Sequence, residues 1–443
     1  MSPTSQKAPG GVRALRTFHA FQNHNFRLLW PANFFSYISR WMQMTLLAWL
    51  VLELTDSPLL VALVGFFGMG PMLLLGAFGG ALADRLDRRR LLVITQTTNL
   101  IAALVMALLL NTGLVQFWYA YLAIMVSGIG WALDSPSRRS IIHSLLGRSG
   151  VTNAIALDSV AMHGSRMIGP ALAGVLINLV DVKGGYFVVL AFLLIAVVLI
   201  WSVRVPSRPE TDGANQANGA AAGEPDAGVS KQRAARDSQS IFRNLAEGFR
   251  YVRGNRVILA TIMVTILMNL FLFSYIQIMP IIAIDVLNVG PGLMGILIAT
   301  DGFGSLVGSM LIASMRDIRY QGRVFLGGSM IGLIALLMFS FSRSYPLSLS
   351  ILLVLGLGGA GFGTMQATII MLVAREEMRG RALGVISLAI GAGPLGALLI
   401  GVVANTAGPM FAIGLNASIG IAALALVVLF MPSLRQRIQP DEQ

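Results

Sequence analysis

The 443-residue chain is 56% hydrophobic and only 12% charged, with a mean hydropathy of +0.75. Soluble domains carry about 25% charged residues, so a water-soluble fold is excluded. The chain has no cysteine, which removes disulfides, thiolate metal sites and a cysteine nucleophile. Its net charge of +12 reads as arginines gathered in loops on one side of a membrane, not as a nucleic-acid surface.

Residues 1–27 form a polar, basic tail with no cleavable signal peptide. Apolar runs of bilayer-spanning length then follow in series. Six spans are predicted in the first half, at 28–52, 59–83, 91–110, 116–133, 153–179 and 186–203. Residues 204–240 are rich in Ala, Gly, Pro and polar side chains and read as a disordered linker. Over 241–255 Ile241, Leu245, Phe249 and Val252 share one face, which predicts a short amphipathic helix on the membrane surface. Six further spans are predicted at 257–282, 292–313, 324–341, 347–373, 382–404 and 410–430, followed by a tail from 432 to 443.

The runs are too long and too uniformly apolar for barrel strands, which alternate over ~10 residues. The predicted fold is therefore all-α and integral to the membrane, with twelve transmembrane helices in two pseudosymmetric six-helix bundles, 28–203 and 256–431. Gly169-Pro170 and Gly393-Pro394 recur 224 residues apart, as a repeated half would require. Of the 32 lysines and arginines, 28 fall in the two tails and the loops that share their side. Both termini are expected to be cytoplasmic.

Three charges fall near the middle of predicted spans: Arg40, Arg166 and Asp301. Charges at that depth are costly and tend to be functional. Asp134 lies near the end of the fourth span, close to Pro136, Arg138 and Arg139, and suits a cap or latch partner. His163 precedes Arg166 by three residues and so shares its helix face. The four histidines are scattered, with no spacing that would hold a metal, and no lysine stands in GxxxxGK[ST].

Two stretches carry a recognisable pattern. The loop after the second span reads GGALADRLDRRR, from Gly79 to Arg90, and the fifth span contains GSRMIGPALAG, from Gly164 to Gly174. They resemble motif A (GxLADrxGRRxxL) and motif C of the major facilitator superfamily, with Asp87 standing where the family usually has Gly. WLVLELTDSPLL from Trp49, NLAEGFRYVR from Asn244 and MRGRALG from Met378 are similar to the macrolide-efflux and enterobactin-exporter branch, of drug:proton antiporter type.

The resemblance implies a conformational latch at Gly80, Asp84, Arg85, Arg88 and Arg89. It also implies a helix bend sealing an outer gate at Gly164, Gly169, Pro170 and Gly174. It places spans five and eight opposite each other, so Asp301 is expected to pair with Arg166, or with Arg40. That pair would be structural, would carry a proton, or would bind substrate. Many drug exporters have an acid in span one where this chain has Arg40, which moves the candidate proton carrier to Asp301 or Asp134, with His163 beside them.

The family's cavity is lined by spans one, four, seven and ten. The candidates there are Asn33, Tyr37, Arg40, Met44, Trp131, Asn269, Tyr275, Met365 and Gln366. The expected activity is export of an amphipathic small molecule (drug, toxin or siderophore-like) in exchange for protons across a bacterial cytoplasmic membrane. The partners are a lipophilic substrate, protons and the lipid bilayer. No cofactor, metal or nucleic acid is expected, and a monomer suffices. A lipid or lysolipid translocase and an uptake transporter are the alternatives. An enzyme is disfavoured because no GxSxG, HExxH or carboxylate cluster is found.

Overall fold

The computed structural model describes residues 20–85, 87–204, 247–315 and 320–436, apart from the side chains of 76–85, 136, 147–149, 152 and 376. The described residues are helical almost throughout. In chain order they form α1 (His24–Thr55), α2 (Pro58–Arg85), α3 (Arg88–Thr112), α4 (Phe117–Ser202), α5 (residues 247–254), α6 (Arg256–Leu267), α7 (Met279–Ile281), α8 (Pro291–Ser314), α9 (Gln321–Phe339), α10 (Tyr345–Val373), α11 (Arg379–Ile390), α12 (Gly393–Ala407) and α13 (Pro409–Phe430). The predicted linker, residues 204–240, lies outside the described residues except for Arg204.

Local chemistry sets the helix ends. The Asn23 side chain accepts the Asn25 and Phe26 amides at the start of α1, and Asn255 does the same for Val257 and Ile258 at α6. Asp87 caps α3, its carboxylate accepting the Arg90 amide at 2.9 Å. Its φ of −58° needs no glycine, so the residue that departs from the family pattern serves as the helix N-cap. Gly113, with φ 71°, ends α3 in the left-handed conformation that favours glycine.

The helices are inside-out by the standards of water-soluble proteins. On α3, Thr95, Gln96 and Asn99 are buried, whereas Ile94, Ile101, Leu104 and Leu108 are exposed. Polar groups seek partners inside the bundle because a hydrocarbon solvent offers none. Nine helical stretches among the described residues are long and apolar enough to cross a membrane.

Two predicted spans have a different backbone. The region read as one regular helix over 257–282 is α-helical only as far as Leu267. It continues through a π turn (Met268–Leu272), a 3-10 stretch (Phe273–Ile278), α7 and a second π turn (Ile282–Val286). Pro280 lacks an amide hydrogen, so the regular ladder cannot run through it. The region 382–404 is split between α11 and α12 around Gly391 and Ala392, just before Pro394. In contrast, α4 passes through Pro170 without interruption, so the expected bend is not a break. Further along α4, Asp181 takes a left-handed φ of 59°.

The N-terminal helices α1–α4 meet the C-terminal helices along two glycine-lined seams. In one, α4 packs on α8: a Cβ at Gly174 would stand 2.3 Å from the Pro291 carbonyl oxygen, and one at Gly295 would stand 2.5 Å from that of Pro170. In the other, α2 packs on α12: a Cβ at Gly401 would lie 2.6 Å from that of Ala62. Backbones this close are possible only where side chains are missing. Helix α5 packs on α11. Glu247 bonds Arg381 at 3.0 Å and Val252 is buried, whereas Phe249 faces outward, so the predicted common face is divided.

Candidate functional site

The α4–α8 seam brings together two of the three mid-span charges. Arg166 Nη2 donates to Asp301 Oδ2 at 2.9 Å. The Asp301 side chain is 2% exposed and that of Arg166 21%. The guanidinium also stands over the Trp41 ring (5.8 Å) and the Phe273 ring (5.6 Å), from α1 and the 3-10 stretch. Such faces stabilise a partly desolvated cation. The Tyr275 hydroxyl is buried beside the carboxylate without meeting hydrogen-bond geometry. His163, one turn before Arg166, is half-buried.

Arg40 does not reach Asp301. Its guanidinium points between α2 and α4, donating to the backbone oxygens of Gly68 and Ser127, each at 3.0 Å, and lying 4.9 Å from the Trp131 ring centre. The expectation of an Arg40–Asp301 pair is therefore corrected. Backbone carbonyls solvate this cation, as they do for many buried arginines.

A second polar cluster lies at the end of the bundle that carries Arg88, Arg89 and Arg90. Asp134, fully buried, accepts from Thr95 Oγ1, Gln96 Nε2 and Arg138 Nη2, the last at 3.2 Å. Arg138 also donates to Asn33 Oδ1. Asn33 Nδ2 donates to Asp158 Oδ1 at 2.7 Å, and the Tyr37 hydroxyl donates to Asp158 Oδ2 at 3.2 Å. Asp134 thus joins α3 to α4 rather than serving as a loop cap. Asn33, Tyr37 and Arg40 are spent on contacts among the N-terminal helices.

The cavity candidates fare unevenly. A small cleft lies near the ion pair, lined by Trp41, Met44, Thr45, Ala48, Pro170, Ile276, Gln277, Pro280 and Ile298. Met44 alone of the expected residues lines it. Trp131 packs edge-on against Tyr37 at 5.5 Å. Tyr275 is buried against Phe339. Asn269 and Gln366 both turn to Thr265, Asn269 to its carbonyl oxygen and Gln366 to its hydroxyl. Met365 is buried in the core. A helical stripe names a face, and here that face meets a neighbouring helix.

Of the expected latch, Gly80, Asp84 and Arg85 lie where the side chains fall outside the described ones. Arg88 donates to Ser144 Oγ at 3.2 Å and Arg89 to the Trp201 carbonyl oxygen, so both tie α3 to α4. In the bend motif, Gly169 and Gly174 are needed for close approach: a Cβ at Gly169 would stand 2.6 Å from that of Trp41. Pro170 is buried in the α8 contact. A Cβ at Gly164 would meet nothing within 4 Å, so no contact requires a small residue there.

Sequence reasoning missed Asp158, Trp41, Phe273 and Gln277. Asp158 is an acid inside a predicted span, but near its end rather than its middle. The other three carry no signal apart from the fold.

Comparison with known proteins gives this geometry a context. The chain is 24% identical over 418 residues to the staphyloferrin A transporter of Staphylococcus aureus (strain NCTC 8325 / PS 47), covering 91% of this chain and 95% of the relative. It is 25% identical over 397 residues to the multidrug efflux pump Tap of Mycolicibacterium fortuitum, covering 88% and 91%. It is 21% identical over 305 residues to macrolide efflux protein A of Streptococcus pyogenes, covering 68% of each. Among solved structures, a bacterial homologue of the human lysosomal transporter Spinster, inward-facing and occupied, superposes with a TM-score of 0.66 at 15% identity over 94% of this chain and 95% of the other. A POT family transporter in complex with 5-aminolevulinic acid gives 0.69 at 11% identity over 94% and 97%; at such identities the likeness shows the fold alone. The Major Facilitator Superfamily model matches residues 29–395, and again 278–442, so the chain belongs to that superfamily and is a membrane transporter, not an enzyme.

Proposed function

We propose that this transporter is an exporter of amphipathic small molecules, driven by proton antiport, in a bacterial cytoplasmic membrane. In this reading it has twelve spans in two six-helix bundles with both termini cytoplasmic. The length of α4 supports the count. Its Asn153–Ser202 portion spans 50 residues, about 75 Å at 1.5 Å per residue against a hydrocarbon core of ~30 Å. A reversal within it makes two crossings.

The observation that carries the reading is the Arg166–Asp301 pair. It bridges the two sets of helices at the edge of an aromatic and apolar cleft. A charge pair across a moving seam holds one arrangement, and a proton or a substrate that separates it favours the other. The cleft offers Trp41, Met44 and Ile276, surfaces suited to apolar molecules of varied shape. Relatives named as efflux pumps and a siderophore transporter support the export direction.

The test is reconstitution in liposomes loaded with a pH-sensitive dye, with lipophilic cations, macrolides and catecholate siderophores supplied in turn. Substrate-dependent proton flux that disappears in Asp301→Asn is expected. Substrate movement with no proton flux in either protein would overturn antiport.

A further inference from the structure

We propose that α5 is a binding surface for anionic phospholipid headgroups, seated at one face of the membrane by Phe249, Arg250 and Arg253. The inference requires only that the chain spans a bilayer. It is independent of the direction of transport and of its energy source.

Connectivity fixes the depth of α5. A single residue, Asn255, separates it from α6, where a membrane-crossing stretch begins at Arg256. Asn255 is extended (φ −112°, ψ 109°) and caps α6, so α5 ends there and does not enter the crossing as part of the same helix. Its neighbour α11 opens another such stretch at Arg379. Gly248 lies against the first turns of α11: a Cβ there would stand 3.3 Å from the Arg381 carbonyl oxygen and 3.2 Å from Val385 Cγ2. The Glu247–Arg381 pair ties α5 to α11, and the Tyr251 hydroxyl, which accepts the Arg375 amide at 3.1 Å, ties it to the α10–α11 connection. Helix α5 is therefore held beside the ends of two crossings, at the level of the headgroups.

Its side chains divide to suit that level. Gly248 and Val252 are buried against the protein. Phe249, Arg250 and Arg253 fall within an arc of about 100° on the outer side. All three are exposed, Phe249 at 50%. Neither arginine forms an ion pair or a side-chain hydrogen bond among the described residues. The one acid of α5, Glu247, is taken up by Arg381. Arg375 and Arg379, exposed in the α10–α11 connection, add to the positive field.

An aromatic ring between two unpaired guanidiniums matches the boundary of an anionic leaflet. The ring enters among the upper acyl carbons, and the guanidiniums donate to phosphate oxygens. The sequence pattern put Phe249 and Val252 on one apolar face. The structure gives Val252 to the protein and sets arginines beside Phe249 instead, and this arrangement makes the surface selective for lipid charge.

The experiment uses the cysteine-free chain with Phe249→Cys carrying a nitroxide as its unique label, in nanodiscs of phosphatidylcholine alone or with rising fractions of phosphatidylglycerol. Power-saturation EPR compares collisions with oxygen, which concentrates among acyl chains, and with a water-soluble nickel chelate. Phosphatidylglycerol is expected to raise the oxygen-to-nickel accessibility ratio. Arg250→Gln or Arg253→Gln should each raise the fraction needed for half of the change about fivefold. The double replacement should abolish the change, and lysine at both positions should keep it. These side chains are exposed and bond nothing within the protein, so the variants keep the fold. A ratio that does not respond to phosphatidylglycerol, or a response that survives the double replacement, overturns the inference. A label shielded from both reagents also overturns it, because protein then covers the face.

Discussion

Removing one partner of the seam pair should have unequal consequences depending on which partner goes. Breaking a buried ion pair costs about 3–5 kcal/mol, because the survivor is left charged and dry. Asp301 has 2% of its side chain exposed and Arg166 has 21%. Without Asp301 the guanidinium keeps the Trp41 and Phe273 faces and some access to water. Without Arg166 the carboxylate keeps only the misaligned Tyr275 hydroxyl. Arg166→Leu is therefore expected near the upper end of that range at neutral pH and Asp301→Leu near the lower. The double replacement should fall within about 1 kcal/mol of wild type, since apolar side chains substitute well for a buried pair. The Arg166→Leu penalty should shrink in acid, where the stranded carboxylate can take a proton. Thermal unfolding in detergent micelles, followed by tryptophan fluorescence over a double-mutant cycle, measures all of this. A coupling below about 1 kcal/mol, or Asp301→Leu as the costlier change, would refute the reasoning.

Three further outcomes are expected. Gly174→Val should force α4 from α8, because even a Cβ there stands 2.3 Å from the Pro291 oxygen; with the cysteine-free chain carrying Gln277→Cys as a unique reporter, an impermeant maleimide should label the cleft faster, and unchanged labelling would count against the seam. Gly356→Ala places a Cβ 2.2 Å from the Asp301 carbonyl oxygen and should destabilise the fold by roughly 1–3 kcal/mol, read as a lower unfolding temperature. Asp87→Ala should cost about 1 kcal/mol through loss of the α3 cap, whereas Asp87→Gly should cost only a few tenths; equal losses would mean that the carboxylate acts on something other than the cap.

The parts legible in the sequence are those that a hydrocarbon solvent enforces. Membrane residence follows from the apolar runs, and the seam pair follows from the cost of leaving Arg166 and Asp301 alone at mid-span. Asp158 stands only five residues inside the predicted span 153–179, where a charge carries less of the cost that marks a mid-span residue. The π and 3-10 turns between Met268 and Val286 were not legible. Pro280 marks the fault, but helices packed around it choose which hydrogen bonds are rearranged. The cavity stripe failed for a related reason. Spacing put Asn33, Tyr37 and Arg40 on one face of α1 correctly, yet only the packing of α2 and α4 decides that this face is filled by protein. Trp41 and Phe273, which hold the Arg166 guanidinium, look in the sequence like ordinary core aromatics.

The glycine seams bear on how readily the molecule could change shape. A leucine-on-leucine contact immobilises side chains each time it closes, at about 0.5–1 kcal/mol of lost rotamer freedom apiece. Where Gly174 and Gly295 face the backbones of α8 and α4, there are no rotamers to freeze or release. Parting and rejoining there is nearly free of entropic friction, and the balance between arrangements is left to the charge pair of that seam, Arg166 against Asp301.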